Sequence, residues 1–95
     1  KLDSIETSFA DIESALALSD NVVVTDAAVM TEDLTIKDGQ TVTFNEDFDT
    51  ANGFTFEAEP RSTVIFKKSV DVVTGTTDFI VDGDVTIDGQ FRTWI

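Results

Sequence analysis

Val22-Val23-Val24, Val42-Thr43-Phe44, Val64-Ile65-Phe66 and Val85-Thr86-Ile87 recur along this chain at intervals of 20, 22 and 21 residues. A period of that size is about one turn of a β-solenoid, in which units too small to bury their own apolar face stack into one continuous core. Each copy offers apolar residues at i and i+2, which a strand points to one face. A second series lies between the first: Leu34-Thr35-Ile36, Phe54-Thr55-Phe56 and Phe79-Ile80-Val81. Leu34 to Phe54 is again 20 residues, whereas Phe54 to Phe79 is 25. The longer interval predicts an inserted loop near Val73-Thr74-Gly75-Thr76-Thr77.

Turn-forming dipeptides fall between these strands. Asp38-Gly39, Asn52-Gly53, Asp82-Gly83 and Asp88-Gly89 supply the left-handed backbone that a sharp corner needs. Asp82-Gly83 also fits a type I′ hairpin, so an antiparallel meander is the rival architecture. No Gly-rich run leads into a helix followed by Lys, which sets phosphate cradling aside.

The first eighteen residues have a different period. Ile5, Phe9, Ile12 and Leu16 fall on one helical stripe. Asp3 or Ser4 can cap its start, Glu6, Asp11 and Glu13 suit the positive end of the dipole, and Ser8 with Asp11 offers a second start. The helix is expected to stop at Ser19-Asp20-Asn21. An amphipathic helix before the first strand is a sensible lid for an open solenoid end.

Nineteen Asp and Glu stand against six Lys and Arg, giving a net charge of −13. Such a surface repels phosphate backbones and anionic membranes, so neither nucleic acid nor membrane insertion is expected. No stretch approaches the ~20 apolar residues of a membrane span. With no Cys and no His, disulfides, thiolate chemistry and the commonest general base and transition-metal ligand are all missing. The chain opens on Lys1 and closes on an alternating strand without a polar cap, which reads as a piece of a longer polypeptide.

The densest acidic cluster on the chain is Asn45-Glu46-Asp47-Phe48-Asp49-Thr50-Ala51-Asn52-Gly53. Asp47, Asp49 and Asn52 are close enough to share Ca²⁺, but Ala51 stands where an EF-hand needs a ligand and the closing Glu is missing. A solvated loop is the preferred reading. Stacked turns could bring Asp82, Asp84 or Asp88 beside another acid at the roughly 5 or 6.5–9.5 Å used by glycosidases, yet nothing predicts the cleft such a pair needs. Arg61 and Lys67-Lys68 read as partners for the acid excess. No catalytic residue, cofactor or metal site is assigned. The suggestive segment is Phe91-Arg92-Thr93-Trp94-Ile95, where Phe91, Trp94 and Ile95 form a candidate assembly edge, since an uncapped sheet edge invites pairing with another strand.

Ser8-Phe9-Ala10-Asp11-Ile12-Glu13-Ser14-Ala15-Leu16, Asn21-Val22-Val23-Val24, Leu34-Thr35-Ile36-Lys37-Asp38-Gly39-Gln40-Thr41-Val42-Thr43-Phe44 and Val85-Thr86-Ile87-Asp88-Gly89 together resemble the start of right-handed parallel β-helix proteins of the pectate-lyase-like type. That superfamily includes bacteriophage tail spikes and secreted polysaccharide-active proteins. The resemblance covers residues 8 to 89 and carries architecture without a catalytic motif.

The expectation is therefore an all-β single domain over 1–95. It comprises a capping helix over 1–20 and a short right-handed parallel β-helix of about four coils over 21–95. The resemblance implies a non-catalytic structural or assembly module of a phage tail spike or extracellular adhesin. It also implies a homotrimer, and contact with cell-surface polysaccharide through a longer parent chain. Three alternatives are the front coils of a polysaccharide lyase or hydrolase, a filament subunit assembling by strand donation, and a meander sandwich that binds a protein partner.

Overall fold

The structure, a computed structural model, describes residues 1–51, 53–73 and 78–94. It opens with β1 (Ile5–Thr7), a 3-10 turn (Phe9–Asp11) and the helix α1 (Ile12–Leu18). Strands β2 (Asn21–Val24), β3 (Ala28–Val29), β4 (Leu34–Ile36), β5 (Thr41–Phe44), β6 (Phe48–Asp49) and β7 (Thr55–Ala58) follow. After them come β8 (Thr63–Phe66), β9 (Val70–Val73), β10 (Asp78–Val81), β11 (Asp84–Ile87) and β12 (Phe91–Trp94).

The strands form three sheets: β1-β2-β5-β8-β11, β4-β7-β10 and β3-β6-β9-β12. From β2 onward the chain visits the sheets in strict rotation, and every strand pairing among the described residues is parallel. The all-β reading with one short helix therefore holds, and the meander is overturned. The Asp82-Gly83 hairpin goes with it: β10 pairs with β7, and β11 with β8.

Register converts the sequence period into columns. Val22, Val42, Val64 and Val85 stand in one column, and Val24, Phe44, Phe66 and Ile87 in the next. Alternation sends both columns inward, and their members from β2, β5 and β8 are fully buried. Leu34, Phe56 and Phe79 form a column in the second sheet. The phenylalanines meet at the centre: Phe44 stacks on Phe66 at 5.0 Å, and Phe48 sits edge-on to Phe56 at 5.4 Å. Each such ring removed from water contributes about 1.5–3 kcal/mol, the main favourable term in a domain this small.

The third sheet is where sequence reading fell short. Ala28–Val29 and Phe48–Asp49 are two-residue strands, too short to show alternation. The acidic run read as a solvated loop therefore drives Phe48 into the core at 0% exposure. The loop expected near 73–77 lies largely outside the described residues, as does Asn52.

The N-terminal helix is shorter than its stripe predicted. Ile5 pairs with Val22 as part of β1, in parallel register with β2. Asp3 and Ser4 accordingly cap nothing helical. The edge of β2 presents unpaired backbone groups, and satisfying them outweighs one more helical turn for a segment containing β-branched Ile5 and Thr7. The second start is the one used, with Ser8 preceding the 3-10 turn and its Oγ donating to Asp11 Oδ2 at 3.3 Å. Ile12, Ala15 and Leu16 then face the core, with Phe9 6.2 Å from Phe44 and 6.0 Å from Phe48. Gln40 ties this lid down: its Nε2 donates to Leu16 O at 3.3 Å, while its Oε1 accepts from Lys37 N–H at 2.9 Å.

Candidate assembly face at the open end

Strands β10, β11 and β12 are the last members of the three sheets, so the backbone edges of all three end on one face. Burial changes abruptly there. Ala58 is 0% exposed, and Val81 above it is 36% exposed. Val70 is 0% exposed, and Phe91 above it is 50% exposed. Phe79, Val85 and Ile87 continue inward columns in the same way and are only partly buried. These five side chains occupy core positions of their sheets yet meet solvent. The opposite end differs, because β1 and α1 pack over β2 there.

Of the three residues singled out as an assembly edge, Phe91 belongs to this face, with its ring 6.0 Å from Phe79. Trp94 ends β12 with its backbone in register with Val73, and Ile95 lies outside the described residues. The partly buried or exposed residues beside it, Phe79, Val81, Val85 and Ile87, were not among those three. Their signal was available. Each lies one strand period beyond a buried residue.

Polar groups mark the outside of the sheets. Arg61 pairs with Asp38, Lys68 Nζ with Glu46 Oε1 at 2.8 Å, and Lys1 Nζ with Asp20 Oδ1 at 2.8 Å. Arg92 grips Asp71 with two bonds, Nε to Oδ1 at 2.6 Å and Nη2 to Oδ2 at 2.9 Å. The hydrogen bond from Lys1 holds the Asp20 carboxyl below its ordinary value. The bonds that Arg61, Lys68 and Arg92 donate to Asp38, Glu46 and Asp71 hold those three bases above their ordinary values. The pairs of Lys1, Arg61 and Lys68 are exposed and add little stability, whereas Asp71 is half-buried under its two bonds from Arg92.

Within the strand pairings of the described residues, one acid stands on another. Asp84 stands over Thr63. Asp49 stands beside Asp71 on the outer side of the third sheet, 22 residues away like Val42 and Val64. Burial pushes the Asp49 carboxyl above its ordinary value, and hydrogen bonding and repulsion from Asp71 add to this, with Asp47 reinforcing it and Arg92 opposing it. Asp47 Oδ1 is committed to Ser69 N–H at 3.1 Å. Among the described residues no group of three or more His, Cys, Asp or Glu side chains is placed to hold a metal ion. An open groove of about 520 Å³ runs between α1 and β4, lined by residues including Glu13, Leu16, Thr35 and Lys37. Its walls mix apolar and charged groups without a buried acid or nucleophile. No helix among the described residues is long and apolar enough to cross a membrane.

Comparison of the chain with protein-family models, with curated proteins and with solved structures found no match.

Proposed function

We propose that this chain is a non-catalytic structural module. It would be a short right-handed parallel β-helix whose three sheets are the faces of one coil, closed at the start by α1 and open at the end as a joint for a further β-layer. The observation that carries this reading is the loss of burial at the last member of five inward columns, clearest in Val70 against Phe91. Apolar columns that continue to an uncovered layer suit strand addition, because main-chain bonds and alternate side chains can both be extended. The role would be mechanical: a stiff spacer in a larger extracellular or virion assembly, such as a tail spike or adhesin, that positions a downstream receptor- or polysaccharide-binding region.

The test is fluorescence of a dye that reports exposed apolar surface, measured on the chain and on a Phe91→Asp, Ile87→Asp double variant. Loss of dye binding in the variant, with an unchanged circular dichroism spectrum, supports the open joint. Equal dye binding in both would place the exposed apolar surface elsewhere and sink the reading. Light scattering over a concentration series then reads the oligomer. A trimer supports spike-like assembly, and a monomer throughout removes it for this segment.

A further inference from the structure

We infer that Asp49 and Asp71 share one proton across β6 and β9, with Arg92 fixing Asp71 as the ionised acceptor, so that the third sheet carries a clasp that tightens on mild acidification. Both strands are interior members of their sheet, β6 between β3 and β9 and β9 between β6 and β12. Register sets the two carboxyls beside each other on the outer side of the sheet. Neighbouring strands lie about 4.8 Å apart, which suits one O–H···O⁻ bond and leaves two like charges no room to separate.

The surroundings assign the proton to Asp49. Asp71 is gripped by Arg92, with Nε on Oδ1 at 2.6 Å and Nη2 on Oδ2 at 2.9 Å, while its side chain is only 19% exposed. A guanidinium bonded to both oxygens keeps that carboxylate ionised. Asp49 joins none of the ion pairs among the described residues, and its Oδ1 is buried there without a hydrogen-bond partner. On its other side β3 offers the uncharged Val29. The charged groups that act on Asp49 are therefore Asp71 on β9, Asp47 beside it and Arg92 on β12. Burial and the two acids favour its neutral form, and Arg92 opposes them while bonded to Asp71. Asp47 is itself an acceptor, through the bond from Ser69 N–H to its Oδ1 at 3.1 Å.

The pair sits over the bonds that join β6 to β9. Phe48 N–H donates to Ser69 O and Thr50 N–H to Asp71 O, each at 2.9 Å, and Val73 N–H donates to Thr50 Oγ1 at 2.9 Å. With the proton in place a carboxyl–carboxylate bond reinforces this seam, and without it two adjacent negative charges push the same strands apart. The folded carboxyl of Asp49 lies above its ordinary value, so the reinforcement is complete below the unfolded pKa and is lost as pH rises through the folded one.

Carbon-13 NMR of the aspartate carboxyls, titrated from pH 3 to 8 on the full chain and assigned with Asp49→Asn, reads the proton directly. The expected result is an Asp49 carboxyl that titrates above the ordinary aspartate range and an Asp71 carboxyl that stays ionised through that step. Asp71→Asn should lower the Asp49 midpoint. Arg92→Gln should bring the two carboxyls together into one coupled titration, a change that a merely structural Arg92 would not produce. Hydrogen exchange at Thr50 N–H, corrected for its intrinsic pH dependence, should slow several-fold below the Asp49 midpoint and lose that response in Asp49→Asn. An Asp49 that titrates in the ordinary range on the parent chain would overturn the shared proton, whatever the variants do. A midpoint unmoved by Asp71→Asn would leave burial as its cause and overturn the pair. Separate titrations that persist in Arg92→Gln would overturn the role of Arg92. Protection of Thr50 that is flat across the midpoint would overturn the clasp.

Discussion

Three Asp-Gly dipeptides look alike in this sequence, and their glycines answer two different steric demands. Gly39 has φ +83°, and a Cβ added there would meet no atom within 4 Å. Its requirement is conformational. A Cβ on Gly83 would lie 2.6 Å from Ser62 O and 2.8 Å from Glu59 O, and one on Gly89 would lie 2.5 Å from the Lys68 carbonyl carbon. Their requirement is space, because these turns lie directly on the backbone of the strand connection beneath. Asn tolerates the left-handed region but still brings a Cβ. Gly39→Asn should therefore melt close to the parent, whereas Gly83→Asn should lose about 1–3 kcal/mol by forcing apart the bond from Asp84 N–H to Ser62 O at 3.0 Å. Urea denaturation of the two variants checks this, and equal losses would refute the distinction. The turn was legible at Gly39. At Gly83 and Gly89 the sequence showed only a turn residue, since the crowding atoms lie about one strand period away.

At the scale of elements, β6 shows how one acidic segment is divided by alternation. Phe48 enters the core while Asp49 faces outward beside Asp71, and Asp49 Oδ1 is buried without a hydrogen-bond partner among the described residues. The folded carboxyl of Asp49 lies above its ordinary value. A group shifted in that direction adds stability below its unfolded pKa, and the contribution is lost as pH rises through the folded one. At neutral pH ionised Asp49 therefore weighs against the fold. Asp49→Asn should raise stability at pH 7 by on the order of 1 kcal/mol, since an uncharged amide can face Asp71 without repulsion. The gain should vanish as pH falls below the ordinary carboxylate range, where Asp49 is protonated in both states. Thermal melts of both proteins from pH 3 to 8 measure it, and a gap that widens toward acid would contradict the sign. The same element explains a misreading, because charge density alone made 45–53 look like loop while its single large apolar residue decided the outcome.

For the whole molecule the dominant long-range force is self-repulsion among nineteen acids. Exposed ion pairs such as Lys68 with Glu46 recover little of it, and salt screens both effects. Repulsion is the larger sum, so raising NaCl from low to moderate ionic strength should increase the melting temperature by roughly 5 °C. A fall in melting temperature with salt would mean that the pairs between layers outweigh the repulsion.

The amino-acid sequence by itself determined the strand period, the inward columns headed by Val22 and Val24, the presence of a helical lid with Leu16 on its buried stripe, and a chemistry without His or Cys. These are local properties, written in the alternation and identity of neighbouring side chains. Only the tertiary structure decided that Ile5 to Thr7 leave the helix for a strand and that Phe48 and Val70 build a third sheet. Phe48 and Phe91 head similar short strands in the sequence, yet one is fully buried and the other half exposed. Phe48 lies in β6, between β3 and β9, whereas Phe91 lies in β12, paired with β9 alone among the described residues, and no local pattern records those neighbours about twenty residues away.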